Sequence, residues 1–418
     1  INTKKNESEI VWESMELWDE KNQGTSVELT IKGRYVKGRQ SVYEYLRNTA
    51  IVNPHAEIVF LEPDGTKHIF RRATETMPPL PVEIKPHPLG MELGELMDMM
   101  RNTRWQKMTQ FLTKEFSRVS SRIAGEVLKK AYIDPELRPG DTTRVQAERI
   151  LRAFRDVKIM APPTDCLSPI GEKLIRMGLK KESEGEFIIT HTRPPAVYGG
   201  TPFQVEVGLV YGGNLQKDST AVILRFANRV PLLYQQGACV ITHAVEAVDW
   251  RRYGLEQRGG RGIPYGPVMI LVHVASAKVP FTSESKDAIA DIPEIKNEIL
   301  LALRYVGRKL QAHIKKRARM VKYREKENII WKVLPMIAEK SARILGKETP
   351  DIEPVVAKIM NSIYVKEHVE GKKYIVSVIN YTSRNRTFTL YVENNGSAEI
   401  KTTAPVAEYK DGVLRWKI

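Results

Sequence analysis

Lys286 stands in the stretch Phe281-Thr282-Ser283-Glu284-Ser285-Lys286-Asp287-Ala288-Ile289-Ala290, between an apolar run, Val268–Ser276, and a long amphipathic segment that begins near Ile292. One lysine on a short polar loop at a strand-to-helix junction is a compact point charge suited to a nucleotide phosphate. Displacing such a loop moves the helix behind it. The same residue also fits an ordinary solvated lysine, and the loop alone does not choose. Trp250-Arg251-Arg252-Tyr253 interleaves aromatic and guanidinium groups, which together can pack on sugar and grip phosphate. Lys37-Gly38-Arg39 falls in a turn ahead of a helix, where backbone and side-chain donors can converge on a phosphate. Arg258-Gly259-Gly260-Arg261-Gly262 is glycine-rich but lies between a helix and a strand, so it reads first as a flexible hairpin tip and second as a nucleic-acid contact.

Other chemistry is missing from the sequence. There is no Gly-x-x-x-x-Gly-Lys-Ser/Thr loop, no His-Glu-x-x-His pair and no Ser/His/Asp spacing, and the eight histidines are scattered. Cys166 and Cys239 have no Cys or His at ligand spacing, so no metal site is expected and both read as small buried hydrophobes. So few cysteines fit a reducing cytoplasm. The net charge of +15 points to an anionic partner, nucleic acid first. No apolar run reaches the ~18 residues that span a bilayer.

The elements that must position these residues fall into four regions. Residues 1–80 read as the end of an α/β layer: a strand at Thr25–Ile31, a helix over Gln40–Val52 with Val42, Tyr45, Leu46 and Thr49 in its stripe, and two strands around Pro63-Asp64-Gly65. Such a piece cannot cover both faces of its sheet, so the rest of the domain is expected upstream of Ile1. Residues 81–165 open on a proline linker and continue as short helices, with Trp105, Met108, Leu112 and Phe116 at helical spacing and caps expected at Ser121 and at Asp141 or Thr142. Exposed Arg118, Arg122, Lys129 and Lys130 permit nucleic-acid binding there, and a purely structural insert equally. Residues 166–328 return to α/β, with strands at Phe203–Tyr211, Ser219–Ala227 and Val268–Ser276. A helix from Pro293 to Glu327, about 50 Å at ~1.5 Å per residue, carries an apolar stripe from Ile295 to Val321. Residues 329–418 read as a helical connector and short strands with glycine turns, a small sandwich of immunoglobulin-like type.

Taken together, five segments resemble the B subunit of DNA topoisomerase VI, the type IIB topoisomerase of archaea and plants. They are Gly24-Thr25-Ser26, Lys85-Pro86-His87-Pro88-Leu89-Gly90, Arg225-Phe226-Ala227-Asn228-Arg229-Val230-Pro231-Leu232, Trp250-Arg251-Arg252-Tyr253-Gly254 and Lys286-Asp287-Ala288-Ile289-Ala290. The resemblance implies a multidomain α+β chain: the end of a GHKL ATPase sandwich, a helix-two-turns-helix insert, a transducer domain with a stalk helix, and an immunoglobulin-like tail. It implies that Lys286 reaches the ATP γ-phosphate and that Gly24 and Thr25 belong to the last ATP-site motif. It implies that Trp250, Arg251 and Tyr253 form a DNA-contact element, with Arg251 where lysine is usual. Lys37, Gly38 and Arg39 would form a basic DNA-contact loop, although Gln40 departs from a fully basic pattern.

The implied activity is an ATP-gated clamp that captures a duplex and couples ATP to strand passage by an A subunit. Its cofactors would be ATP and Mg²⁺, its assembly an A2B2 heterotetramer with ATP-dependent dimerisation of the B subunits, and its location the archaeal cytoplasm, with the nucleoid. The general-base glutamate, the magnesium-binding asparagine and the Asp-x-Gly-x-Gly and glycine-lid motifs are expected ahead of Ile1. A DNA-binding or scaffolding partner subunit without ATPase activity is the alternative; it would lack a lysine at 286 and the Gly24-Thr25 pair.

Overall fold

The structure is a computed structural model that describes residues 24–371, 373–384, 389–393, 408–410 and 413–417, with residue 10 and residues 12–15. Its centre is a mixed sheet of β3 (Phe187–Thr192), β4 (Ala196–Tyr198), β5 (Thr201–Tyr211), β6 (Val222–Ala227), β7 (Val230–Pro231) and β8 (Val268–Ser276), in the order β3-β5-β8-β6-β7 with β4 also on β5. β6 and β8 run parallel and the other pairs antiparallel. Helices cover both faces. On one side α1 (Val42–Val52) and α6 (Glu172–Glu182) pack on Leu224, Phe226, Met269 and Leu271. On the other, α7 (Val240–Ala247) and the start of α8 (Pro293–Leu345) pack on Val205, Val207, Ile270, Val272 and Val274. A strand covered on both faces reads as an unbroken apolar run, which is why Val268–Ser276 shows so plainly in the sequence.

α1 and α6 touch at backbone distance. A Cβ on Gly178 would lie 1.9 Å from the Ile51 carbonyl oxygen, so no larger residue fits there. Arg47 bridges Glu44 on its own helix and Glu182 on α6. The stripe expected on α1 is rotated from its true inner face: Val42 and Tyr45 are exposed, whereas Asn48, Ala50, Ile51 and Val52 are buried. The aromatic Tyr43 instead meets His68 and Phe70 of the hairpin β1 (Ile58–Leu61) and β2 (Lys67–Phe70). No strand forms at Thr25–Ile31: Val27, Leu29 and Ile31 are 77–80 % exposed, because an isolated strand has no ladder to pair with.

The helical insert has its own core. α2 (Leu93–Asn102), α3 (Met108–Glu115), α4 (Ser121–Ala131) and α5 (Arg144–Asp156) enclose Leu96, Phe111, Leu112, Val127, Ile150 and Phe154. Trp105 lies between helices, its indole N–H donating to Glu115 at 2.6 Å. The caps sit one residue from their expected places. Ser120 accepts the Ile123 amide, and Thr143 forms a capping box with Gln146. A two-stranded neck joins insert to sheet: Val82 N–H donates to the Asp165 carbonyl at 2.9 Å and Ser168 Oγ to the Pro79 carbonyl at 2.8 Å.

α8 runs on past Glu327, where the sequence suggested an end, through residue 328 to Leu345, and Gly346 caps it in the left-handed conformation. Its 53 residues span about 80 Å at ~1.5 Å per residue. Pro335 lies inside this stretch, and the helix continues through it to Leu345. The inner stripe is buried only through Leu310; Met320, Val321 and Tyr323 are exposed. After α9 (Glu353–Ile359) come the hairpin β9 (Ile363–Glu370) and β10 (Lys373–Asn380), and a sheet ordered β11 (Thr389–Glu393), β13 (Val413–Lys417), β12 (Glu408–Lys410). The strand expected at Ala398–Thr402 lies outside the described residues.

Two titratable groups interrupt the apolar strands, Glu206 on β5 and His273 opposite it on β8. Both are fully buried. Glu206 accepts the Ile170 and Gly171 amides at 2.7 Å, Thr192 Oγ1 at 2.9 Å and His273 Nδ1 at 2.9 Å. The Arg229 amide donates to His273 Nε2 at 3.0 Å, which makes the ring a neutral Nδ1–H imidazole. Burial pushes the Glu206 carboxyl up, but the His273 bond and the two amides outweigh it and leave its pKa below the ordinary value. The group therefore stabilises the fold above the ordinary carboxylate range, and that contribution falls away as pH drops through its depressed folded pKa. Glu206→Ala strands four donors and should cost about 3–5 kcal/mol in urea unfolding at neutral pH. The variant should also lose part of the wild-type fall in stability below pH ~4.3. An unchanged unfolding midpoint would contradict this account.

Candidate functional site: a switch lysine and a basic face

Lys286 sits on a loop with both feet in the core. Thr282 N–H donates to the Ala288 carbonyl at 2.9 Å, Ala290 N–H to the Pro280 carbonyl at 2.8 Å, and Val240 N–H of α7 to the Ile289 carbonyl at 3.0 Å. Ala288 and Ile289 are fully buried. Lys286 itself is exposed, with φ +57°, left-handed backbone that a lysine seldom adopts. Among the described residues its ammonium makes no ion pair. Three residues after Ala290 the chain enters α8, and Lys296 on its first turns bonds Asp291 at 2.9 Å. Asp291 also binds His243 of α7 at 2.8 Å, and its pKa is lowered, chiefly by Lys296. At the other foot, Lys278 reaches Glu95 of the insert at 3.1 Å.

The Trp250–Tyr253 element divides into an inner and an outer half. Trp250 is fully buried, and its indole N–H donates to the Val245 carbonyl at 2.8 Å. That corrects the expectation that Trp250 itself lies against DNA: its ring is committed to the core. Tyr253 is half-buried edge-on against Trp250 and packs on Gly307 of α8, where a Cβ would lie 2.5 Å from the ring. Arg251 and Arg252 point outward and share one carboxylate, Asp249, at 3.0 and 3.2 Å. Their guanidiniums hold the Asp249 pKa below its ordinary value, Arg251 most strongly.

Lys37 is exposed but engaged, 2.9 Å from Glu62 and 3.3 Å from Asp64 in the hairpin. These hydrogen bonds raise its pKa, the one to Glu62 foremost. Asp64 is pulled down to about 2, chiefly by the Thr66 amide. Gly38, at φ +135°, lets the chain turn there, and the Ser41 amide closes the turn on the Gly38 carbonyl at 3.1 Å. Arg39 is exposed and, among the described residues, without an ion pair. Gly24 and Thr25 lie in exposed chain outside any helix or strand.

Lys286 thus presents an exposed cation with no ion pair among the described residues. For magnesium the fit is poor: among the described residues no group of three acidic, His or Cys side chains could hold an ion. Glu44 and Asn48 stand four apart on α1, and both line a cavity of about 240 Å³. Glu44 is tied to Arg47, however, and Asn48 is buried. Sequence reading assigned no role to Glu206 or His273. The signal was there, a charged or imidazole side chain in the middle of an otherwise apolar strand.

Comparison with known proteins bears on this arrangement. Residues 162–326 match the family model "Topoisomerase VI B subunit, transducer", and residues 346–416 match the model of the C-terminal domain of the type 2 DNA topoisomerase 6 B subunit. The B subunit of type 2 DNA topoisomerase 6 from Methanococcoides burtonii is 54% identical over 397 residues, 94% of this chain and 64% of its own length. That of Archaeoglobus fulgidus is 48% identical, covering 96% of this chain and 67% of its own. For Pyrococcus horikoshii the figures are 37%, 89% and 73%. The chain spans less than two thirds of the first of these relatives. The gyrase B-subunit of Myxococcus xanthus superimposes at a TM-score of only 0.23 with 19% identity, over 33% of this chain and 38% of that one, too weak to carry an argument. With both domain matches in chain order and relatives covered over more than two thirds of their length, the chain belongs to the family of type 2 DNA topoisomerase 6 B subunits.

Proposed function

We propose that this chain forms the transducing part of an ATP-operated clamp that captures duplex DNA for strand passage by a partner A subunit. The observation that carries the reading is the Lys286 loop: an ammonium with no ion pair among the described residues, held at the tip of a loop whose feet are locked in the core and whose exit is α8. Lys286 would meet the γ-phosphate and Gly24 and Thr25 would lie near the nucleotide; bound ATP would supply a negative charge that appears and disappears with hydrolysis. A two-state contact of this kind biases a loop only while the phosphate is present. The exposed apolar residues Met320, Val321 and Tyr323, about one turn beyond the Arg317–Glu186 pair at the edge of the sheet, would offer the A subunit a docking surface. Lys37, Arg39, Arg251 and Arg252 would take phosphates of the trapped duplex, with Gly38 turning the first loop and Tyr253 bracing the second against α8. Magnesium ligands, dimerisation of two B subunits into an A2B2 assembly, the GHKL and immunoglobulin-like assignments, and a place in the archaeal cytoplasm belong to the same proposal. No helix among the described residues is long and apolar enough to cross a membrane.

Lys286→Gly separates function from stability. Glycine relieves the left-handed strain, worth about 1 kcal/mol, so the melting temperature should hold or rise slightly. ATP turnover, measured in a protein carrying the full length of the relatives, should fall about 100-fold or more. Wild-type turnover in that variant would sink the assignment.

Trp250 and its neighbours should part company in the same way. Trp250→Ala should cost about 3–5 kcal/mol of stability, because it empties a fully buried site. Replacing Arg251 and Arg252 by alanine should leave the melt nearly unchanged. It should lower the slope of log affinity for duplex DNA against log salt by about one unit per lost phosphate contact. A salt slope that survives both arginine replacements would remove this element from the DNA interface.

A further inference from the structure

The segment Arg258–Gly262 is not a loose hairpin tip. Gln257, buried to 7 % exposure, ties it to the Trp250 turn on three sides. Its amide nitrogen donates to the Val248 carbonyl at 3.0 Å and to the Gly262 carbonyl at 2.6 Å, while its oxygen accepts the Trp250 amide at 3.0 Å. Gly262 N–H closes the far side on the Glu246 carbonyl at 3.2 Å. Gly259, Gly260 and Gly262 all have φ between +61° and +91°, so the tight path needs glycine at each. At Gly260 there is a second reason. A Cβ there would lie 2.7 Å from Nη2 of Arg251, so the guanidinium of the Trp250 element rests on the bare backbone of this loop.

Arg251, Arg252, Arg258 and Arg261 thus stand on two turns in contact, with the Arg251 guanidinium seated against Gly260. Arg251 and Arg252 divide a single aspartate. Arg258 and Arg261 are exposed and, among the described residues, make no ion pair. The Arg258 guanidinium lies over the Tyr265 ring, 4.5 Å from its centroid, which holds it in place without neutralising it. Glu246 and Glu256 meet the loop through their backbones, at Gly262 and Tyr265. The patch also borders α8, where Gln311 donates to the Arg252 carbonyl.

We propose that Arg258 and Arg261 are phosphate-binding residues for duplex DNA, forming one continuous site with Arg251 and Arg252 that Gln257 and the three glycines hold rigid. The proposal rests on the DNA reading above and extends it to a loop outside the Trp-Arg-Arg-Tyr element. Rigid, unpaired guanidiniums bind a regular phosphate array without first giving up an internal partner or ordering a mobile segment.

The test is a fluorescence-anisotropy titration of a labelled random-sequence duplex with the 418-residue chain over a range of salt, for wild type, Arg258→Ala/Arg261→Ala and Arg258→Lys/Arg261→Lys. The alanine pair should lower the log–log salt slope by about two units, and the lysine pair should restore most of it, because lysine returns the charge. A wild-type slope in the alanine pair overturns the proposal. So does a reduced slope that lysine fails to restore when the melting temperature has dropped, since the arginines would then be acting on the fold. Absence of salt-dependent binding by the wild-type chain would overturn the DNA reading itself. Normal binding lost on replacing Arg251 and Arg252 but not Arg258 and Arg261 would overturn the extension alone.

Discussion

Both faces of β8 are covered, one by α1 and α6 and the other by α7 and α8, and every residue from Val268 to Ser276 is buried. That strand cannot slide or tilt without opening two cores at once, and close-packed interiors respond to such displacements in steps rather than by continuous deformation. The chain leaves it at Ser276 and re-enters the core at Ala288 and Ile289, so the loop between has fixed ends. Lys286 at its tip is therefore the part free to respond to a charge. What the tip does is felt first by Ile289, Asp291 and the opening turns of α8, which bind α7 through Val240 and His243. A stiff strand behind and a stiff helix ahead would let the loop act as a reporter in the proposed clamp.

The Glu206–His273 pair adds specificity to this frame. A one-residue slip of β5 against β8 would take the carboxylate away from the imidazole and turn both into apolar surroundings, at a cost the apolar pairs alone would not impose. The same carboxylate caps the start of α6 through the Ile170 and Gly171 amides. Arg229, whose amide holds the far side of the imidazole, extends its guanidinium to Ser168 and Pro169 at the neck of the insert. One buried network thus sets strand register, the entry of a helix and the seat of a separate helical domain. Asn228 and Arg229 both take left-handed backbone to make the turn that allows it.

Much of this was legible in the residues, for reasons that can be stated. β8 was found to the residue because a doubly covered strand is apolar throughout. The hairpin at Pro63-Asp64-Gly65 followed from turn chemistry, and Asp64 indeed caps the Thr66 amide. α1 was placed correctly but rotated, because its inner face is set by the close approach at Gly178, a contact more than a hundred residues away that local periodicity cannot encode. β3 and β4 were missed, since His191 and the threonines of Phe187–Thr192 dilute the strand pattern. Trp250 drew attention as an aromatic among arginines, yet pattern alone cannot say which way a ring points. Its burial depends on the Val245 carbonyl and on Gln257, which come from other turns.

A net charge of +15 says that anions are attracted, but not where. The pairing within the fold decides that. Arg47 is spent on Glu44 and Glu182, Arg193 on Glu298, and Lys37 on Glu62 and Asp64, so these cations hold elements together before they can hold a ligand. Lys37 and Asp64 are exposed and such a pair is weak, but Glu62 is buried, so the Lys37–Glu62 bond is the harder of the two to give up. Arg47 and Arg193, half-buried against half-buried partners, have more to lose. Arg39, Lys286, Arg258 and Arg261 have no ion pair to surrender among the described residues, and they stand on loops shaped by left-handed backbone at Gly38, at Lys286 itself and at Gly259, Gly260 and Gly262. Exposed loops with no internal partner for their positive charge are where the proposed phosphate contacts would cost this fold least.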